Sequence, residues 1–237
     1  MSKHQVNTVC VAGGGTAGWM AAAHLLHETE FNVILVESPN IPIIGVGEAT
    51  LLGFDNFLTQ GCNIPLDKWT KECDATIKLG TKFTNWYGDG LDLWSPFLVP
   101  LVKPNEHHYD LLDLAIEAGV PKQEFYRECS AWYETCIDQK RIPSTTTANG
   151  KHLGVAYHLD AIKLANFLSN YCRKTYSKLT HIKGTIANVV VRDENISHLV
   201  LDNKELIKAD LFLDCTGFRK ILTKAVPGSE WKNLEQQ

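Results

Sequence analysis

Two short apolar runs near the start of the chain flank a segment with a helical pattern. Asn7–Ala12 is mostly apolar and leads into three consecutive glycines, Gly13–Gly15, which is typical of a buried strand entering a tight turn. Ala17–Glu28 is rich in Ala and Leu and predicts a helix, and Phe31–Val36 predicts a second buried strand. A strand, a helix and a strand within about 30 residues predict a βαβ unit with parallel strands.

Further helices are predicted at four places along the chain. Phe54–Thr59 and Leu66–Thr76 have helical patterns, and Tyr109–Ala118 has one inside an otherwise irregular stretch from 85 to 150. Asp160 is a residue type favoured at helix N-caps, and the segment after it predicts a helix to about Tyr176.

The last part of the chain is rich in short apolar runs separated by turns. Thr185–Val191 and Ile196–Leu201 predict an antiparallel ribbon, and Asp210–Asp214 predicts a return to a buried strand. We therefore predict an α/β fold, a Rossmann-like parallel sheet with an antiparallel β-ribbon. Residues 1–86 and 153–237 would form two parts of one domain, with 87–152 as an insertion between them.

Composition narrows the classes of partner and site. Hydrophobic residues make up 44% of the 237 residues, and the net charge of −4 comes without any run of Lys and Arg. A nucleic-acid backbone attracts clustered basic residues, so we exclude nucleic acid as a partner. The seven cysteines form no C-x-x-C pair, which argues against a disulfide framework and a zinc site and favours a reducing cytoplasm. We predict no metal.

One segment imitates a membrane signal. Thr8–Leu26 contains no Asp, Glu, Lys or Arg, as a signal peptide or a spanning helix would. The glycines at its centre would weaken such a helix, whereas a strand, a glycine turn and a helix account for the same residues. We therefore predict no membrane association.

The glycine-rich turn has the spacing of a dinucleotide-binding loop. Gly13, Gly15 and Gly18 satisfy G-x-G-x-x-G, and Thr16 and Ala17 open the helix whose N–H groups and dipole favour a pyrophosphate. The motif alone is weak, because a glycine turn between a strand and a helix need bind nothing. Glu37, about 20 residues further on, is placed to accept hydrogen bonds from a ribose diol. An acid there disfavours an NADP 2′-phosphate, whereas FAD and NAD both stay open on these residues alone.

The surroundings of this loop resemble the flavin-dependent tryptophan halogenases. The similarity extends in order through five blocks, at Val11–Ala22, Val36–Thr50, Ile77–Trp86, Ala156–Ala161 and Ala209–Arg219. The resemblance implies FAD, used as FADH2 from a separate flavin reductase, with O2 and chloride or bromide as co-substrates. It implies that the halide becomes hypohalous acid, which halogenates an indole substrate such as tryptophan. A homodimer is compatible with it.

The resemblance also assigns site residues. Lys78 would be the catalytic lysine that directs the hypohalous acid, although on its own it is typical of a solvated helix lysine. Lys82 would be a structural or a surface residue. Residues 1–86 and 153–237 would be two parts of the FAD-binding domain, with 87–152 inserted on the substrate side. The segment Gly47-Glu48-Ala49-Thr50 would pass along the flavin, and Asp214 and Gly217 would make a second cofactor contact at a strand end. A connecting turn and a plain strand end are the alternatives for these two segments.

The chain lacks the later motifs of the family, so we expect it to be an N-terminal portion whose own catalytic competence is in doubt.

Two other interpretations of the function stay open. Another flavin-dependent aromatic monooxygenase would share the fold and hydroxylate its substrate, but would need no lysine at position 78. A non-catalytic FAD-binding remnant would bind the flavin without turnover.

Overall fold

The computed structural model describes residues 5–42, 45–78, 80–88, 90, 92–96, 117–120 and 155–228. The chain divides into two compact units, which we describe separately. The first unit comprises Met1–Glu48, Asn56–Asp74 and Leu159–Gln237, and the second comprises Ala49–Asp55 and Ala75–His158. Most of the predicted 87–152 insertion lies outside the described residues, and so does the predicted helix at Tyr109–Ala118 apart from its last two residues.

The helices and strands are numbered here in chain order. The helices are α1 (Thr16–Glu28), α2 (Phe54–Thr59), α3 (Leu66–Glu72) and α4 (Ala161–Thr175). The strands are β1 (Thr8–Ala12), β2 (Asn32–Glu37), β3 (Gly47–Ala49), β4 (Thr76–Lys78), β5 (Gly80–Thr84), β6 (Asp92–Pro96), β7 (Ala156–Asp160), β8 (Leu179–Lys183), β9 (Ile186–Arg192), β10 (Asn195–Leu201), β11 (Leu206–Ile207) and β12 (Leu211–Asp214). Short 3₁₀ turns follow at Gly217–Arg219 and Thr223–Ala225.

A parallel sheet forms the centre of the first unit. Its strand order is β12-β1-β2-β8, and each neighbouring pair is parallel. Val9, Cys10 and Val11 on β1 have no exposed surface, as expected for a strand covered on both faces. The predicted βαβ unit and the α/β fold class are thereby confirmed.

Two helices pack against each other beside this sheet. The buried face of α1 includes Ala22 and Ala23, whose small side chains permit the close approach of α4, and that of α4 includes Leu164 and Leu168. Asp160 is the N-cap of α4, as predicted, because its Oδ1 accepts a hydrogen bond of 2.9 Å from the backbone N–H of Lys163.

The antiparallel ribbon is also confirmed. β9, β10 and β11 form a three-stranded sheet, and Asp193 and Glu194 turn the chain between β9 and β10 with positive φ angles. Leu199 and Leu201 of β10 are fully buried in one cluster with Cys10 of the parallel sheet. The ribbon therefore covers part of the sheet that carries the glycine loop.

One predicted helix is too long. The segment Leu66–Thr76 is helical only to Glu72, because Asp74 adopts a left-handed conformation with φ of 49°. Thr76–Lys78 then forms the strand β4. Lys78 is therefore a strand residue and not a helix lysine.

The second unit contains antiparallel pairs. Within it, β4 pairs with β7 so that Lys78 lies opposite Ala156 and Ile77 opposite Tyr157. β5 and β6 form a hairpin in which Lys82 lies opposite Trp94. Among the described residues, every helix falls short of the length or the apolar character that a membrane crossing requires.

Candidate functional site

Two glycines of the loop are required by packing. Gly13 has a φ of +118°, and a Cβ there would lie 2.2 Å from the carbonyl oxygen of Cys215. A Cβ on Gly18 would lie 1.8 Å from the carbonyl oxygen of Gly13. The first and third glycines therefore let α1 and the strand ends approach each other, as the sequence motif predicts.

Gly15 differs from its neighbours because nothing fills the space beside it. It is the N-cap residue of α1 with φ of −76°, and no atom lies within 4 Å of the Cβ position. The first turn of α1 has no side-chain cap and no acidic residue. Its leading N–H groups have no acceptor within the helix, and the positive end of the helix dipole lies there. This is the arrangement that binds a phosphate group.

A cavity of about 530 Å³ opens at this end of the first unit. This volume is typical of a small-molecule site. The predicted site residues that line it are Gly13, Gly15, Thr16, Ala17, Glu37, Glu48 and Gly217. The remaining lining residues are Gly14, Val36, Ser38, Ile41, Pro42, Gly184, Thr185, Ile186, Cys215, Thr216, Phe218, Arg219 and Ile221.

Glu37 stands at the end of β2 with its side chain held in place. Its Oε2 accepts a hydrogen bond of 2.7 Å from Nε2 of His181, and 25% of its side chain is exposed. Its methylene groups lie against Gly14, where a Cβ would come within 2.4 Å of the Glu37 Cγ. His181 is not among the residues predicted from the sequence, because the short, half-polar segment that forms β8 carries no strong strand pattern.

Asp214 lies at the end of β12, but it is not among the residues that line the cavity. Its Oδ1 accepts hydrogen bonds from the N–H and hydroxyl of Thr216, and its Oδ2 accepts from the N–H of Leu222 and from the N–H and hydroxyl of Thr223. Burial alone would raise the pKa of the Asp214 carboxyl, but the hydrogen bonds from Thr216 and Thr223 outweigh burial and hold the pKa below its usual value. Its carboxylate therefore shapes the loop that follows.

That loop supplies one wall of the cavity. Gly217 has a φ of +63°, which a residue with a side chain would adopt only with strain. Phe218 lines the cavity although 86% of its surface is exposed. Burial raises the pKa of the Cys215 thiol, and the neighbouring Asp214 adds to this, so Cys215 is a neutral thiol near pH 7.

Three predicted residues of the first unit differ in whether they line the cavity. Glu48 lines the cavity, whereas Gly18 and Gly47 are not among its lining residues. Gly47 has open space at the position of a Cβ.

In the second unit, Lys78 and Thr50 are brought together. The Nζ of Lys78 donates to the carbonyl oxygen of Thr50 at 3.5 Å. Thr50 is fixed in turn by Tyr157, because its N–H donates to the Tyr157 carbonyl at 2.8 Å and its hydroxyl accepts from the Tyr157 N–H at 2.9 Å. Lys78 is partly buried, whereas Lys82 is exposed, and Ala49 belongs to the exposed strand β3.

Comparison with known proteins identifies the family. The sequence pattern described as tryptophan halogenase matches residues 8–237. The chain belongs to the tryptophan halogenase family. Tryptophan 6-halogenase ThaL of Streptomyces albogriseolus is 30% identical over 92% of this chain. Tryptophan 7-halogenase RebH of Lentzea aerocolonigenes is also 30% identical over 92% of it. The chain spans 44% of the length of each of these two proteins.

Solved structures of this family share the fold. A flavin-dependent halogenase from Xanthomonas campestris superposes with a TM-score of 0.78 at 31% identity, over 95% of this chain and 46% of that one. The tryptophan 6-halogenase SttH of Streptomyces toxytricini superposes with a TM-score of 0.75 at 33% identity, over 91% of this chain and 43% of that one. The predicted resemblance and the Rossmann-like fold are thereby confirmed, and the family is one of flavin-dependent enzymes.

The residues of the cavity fit a flavin dinucleotide. The open space at Gly15 would admit a pyrophosphate to the N-terminus of α1, and Glu37 supplies carboxylate oxygens for a diol. No group of three His, Cys, Asp or Glu side chains that could hold a metal ion occurs in the part of the chain that the structure describes. The cavity thus has the donors and acceptors for a dinucleotide.

Proposed function

We propose that this chain supplies the FAD-binding part of a flavin-dependent halogenase that acts on an indole substrate such as tryptophan. The observation that carries the proposal is the cavity of the first unit, where a glycine loop, an uncapped helix N-terminus and a carboxylate meet. The membership of the tryptophan halogenase family supports the same chemistry. We expect chloride or bromide and O2 as co-substrates, a separate flavin reductase as partner, and a cytoplasmic location.

The cavity residues have separate roles in holding the cofactor. The backbone N–H groups at Gly15, Thr16 and Ala17 would donate to the pyrophosphate, with the dipole of α1 adding to the attraction. Glu37 would accept hydrogen bonds from the ribose hydroxyls. Glu48 and Gly217 would border the rest of the cofactor, because both line the same cavity.

For three of the predicted cofactor contacts, the neighbouring residues support a role in positioning other parts of the site. Gly18 would allow the close packing on Gly13 that keeps the loop tight, and Asp214 would hold the loop that carries Gly217. Thr50 would act on Lys78, through the carbonyl oxygen that accepts from the Lys78 ammonium. Gly47 and Ala49 stay predicted cofactor contacts.

Lys78 would be the catalytic residue of the second unit. When bound, the reduced flavin supplies the electrons with which O2 is activated to oxidise the halide. An ammonium group can donate a hydrogen bond to the oxygen of hypohalous acid and so make the halogen more electrophilic. Partial burial and the Thr50 carbonyl restrict where the Lys78 ammonium can lie, which supports a directing role.

The proposal is tested by product analysis with matched lysine variants. The full-length protein is supplied with FAD, a flavin reductase, O2, tryptophan and bromide, and products are identified by mass. We expect bromotryptophan from the wild type, none from Lys78→Ala and nearly wild-type amounts from Lys82→Ala, because Lys82 is exposed on β5. Flavin oxidation should continue in both variants, because Lys78 acts after the halide is oxidised.

Other outcomes distinguish the alternatives. A hydroxylated product that needs no halide would identify an aromatic monooxygenase. Bound FAD without any product from the indoles tested would indicate a flavin-binding protein without turnover. Equal halogenation by the Lys78→Ala and Lys82→Ala variants would remove Lys78 from the catalytic role.

A further inference from the structure

His181 contacts the cavity-lining residue Glu37, and neither the glycine motif nor the family resemblance assigns His181 a role. It lies on β8, which runs parallel to β2 and pairs His181 with Leu35 and Lys183 with Glu37. Side chains two residues apart on a strand share one face, so His181 and Glu37 lie diagonally on the same face of the sheet. The side chain of His181 is only 10% exposed.

The hydrogen bond between these two side chains has a defined direction. The Nε2 of His181 lies 2.7 Å from Oε2 of Glu37. An ionised carboxylate only accepts hydrogen bonds, so Nε2 must carry the hydrogen and donate. Each carboxylate oxygen can accept about two hydrogen bonds, so most of the accepting capacity of Glu37 stays available to a ligand.

The His181 ring is itself held by α1. The ring of Trp19 meets it edge to face at a centroid distance of 5.0 Å and an interplanar angle of 76°. Trp19 is 1% exposed and its backbone N–H donates to the Gly15 carbonyl at 3.0 Å, so it belongs to the first turn of α1, which starts at the glycine loop. Trp19 and His181 therefore connect the phosphate end of the cavity to Glu37.

We infer that His181 is a positioning residue for cofactor recognition, which fixes the Glu37 carboxylate to receive the diol of the ribose. The inference rests on the proposed function, because it needs FAD in the cavity of the first unit. Without the hydrogen bond, the Glu37 carboxylate would have more conformational freedom, which it would lose when the ligand binds. A group that is fixed beforehand avoids this entropic cost and binds more tightly.

Two replacements of His181 separate its hydrogen bond from its packing. His181→Phe keeps an aromatic ring against Trp19 but removes the donor, whereas His181→Gln keeps an N–H donor close to the position of Nε2. We expect the Kd for FAD of the full-length protein to rise about 5- to 10-fold in His181→Phe, because the Glu37 side chain must then be immobilised when the ligand binds. His181→Gln should stay within about 3-fold of the wild type, because its amide restores the donor.

A double-mutant cycle shows whether His181 acts through Glu37. In a Glu37→Ala background, His181→Phe should change the Kd less than about 2-fold, because the carboxylate that it positions is absent. Lys183→Gln is the matched control, since Lys183 is exposed on the same strand and has no hydrogen bond to Glu37 among the described residues. Its Kd should stay within about 2-fold of the wild type.

The outcomes separate this inference from the proposed function. Wild-type FAD affinity in His181→Phe, or an equal loss of affinity in the Glu37→Ala background, would overturn the positioning role while leaving the flavin site intact. Failure of the wild-type protein to bind FAD would overturn the proposed function and this inference together.

Discussion

Asp214 offers a sharp test of how the cavity is built. Its carboxylate receives five hydrogen bonds, from three backbone N–H groups and two threonine hydroxyls, all within the loop that follows β12. We expect Asp214→Ala to destabilise the first unit and to weaken FAD binding only as a consequence of the altered loop. A direct cofactor ligand would instead leave stability nearly unchanged when removed.

The loss of stability expected for Asp214→Ala follows from the number of donors that lose their acceptor. A hydrogen bond to a charged group contributes about 1.5–3 kcal/mol, and a buried donor left unsatisfied costs a similar amount. The five bonds share one carboxylate, so their contributions are not additive, and water reaches part of this half-exposed loop. We therefore expect Asp214→Ala to lower the free energy of unfolding by about 3–5 kcal/mol. Asp214→Asn should lower it by about 2–4 kcal/mol, because the amide keeps one acceptor oxygen.

Urea unfolding of the FAD-free protein, followed by tryptophan fluorescence, measures this loss. With a urea dependence of about 3 kcal/mol per molar, the midpoint should fall by about 1 M or more. Asp210→Ala is the matched control, because its carboxylate is exposed and accepts hydrogen bonds from the N–H groups of Asn7 and Thr8. Asp210→Ala should lower the free energy of unfolding by about 1 kcal/mol. Equal midpoints for the two variants would refute the structural role of Asp214.

Three further predictions follow from the same geometry. The folded-state pKa of Asp214 is lowered, so its contribution to stability is complete above an unfolded-state pKa of about 3.9 and is lost as pH falls through the lower folded value. In a urea series, the midpoints of wild type and Asp214→Asn should therefore converge as the pH is lowered below about 3.9. In thermal unfolding, Gly18→Ala should lower the free energy of unfolding by about 3 kcal/mol or more, because its Cβ would lie 1.8 Å from the Gly13 carbonyl oxygen. Gly15→Ala should lower it by less than about 1 kcal/mol, because the space at its Cβ is open. Glu37→Ala should weaken FAD binding by about 1.5–3 kcal/mol in a calorimetric titration, and an unchanged Kd would place Glu37 outside the site.

The sequence predicts the parts of the fold that have strong periodicity. β1, α1 and β2 follow from a buried run, an alanine-rich helix and a second buried run, and α4 follows from its Asp160 cap. β8 was missed because Leu179–Lys183 is short and half polar, so that its identity depends on pairing with β2. His181 is hidden for the same reason.

Two other differences come from local backbone chemistry. The helical pattern of Leu66–Thr76 continues past Asp74, but the left-handed conformation of that residue ends the helix, and Asp is among the few residues that tolerate it. The sequence predicts Asp214 as a cofactor contact at a strand end. In the structure its Oδ1 accepts a hydrogen bond from the N–H of Thr216, two residues later, which is an Asx-turn, and Asp is a residue type that favours such turns.

Binding of FAD by the Gly15→Val variant tests the central claim most directly. Gly15 has an ordinary φ and open space at its Cβ, so valine should leave the fold intact while its side chain blocks the approach of a pyrophosphate to α1. We predict that the wild-type full-length protein binds FAD in preference to NAD, and that Gly15→Val loses FAD binding with an unchanged melting temperature of the FAD-free protein. Wild-type affinity for FAD in a folded Gly15→Val protein, or tight binding of NAD without affinity for FAD, would contradict the account.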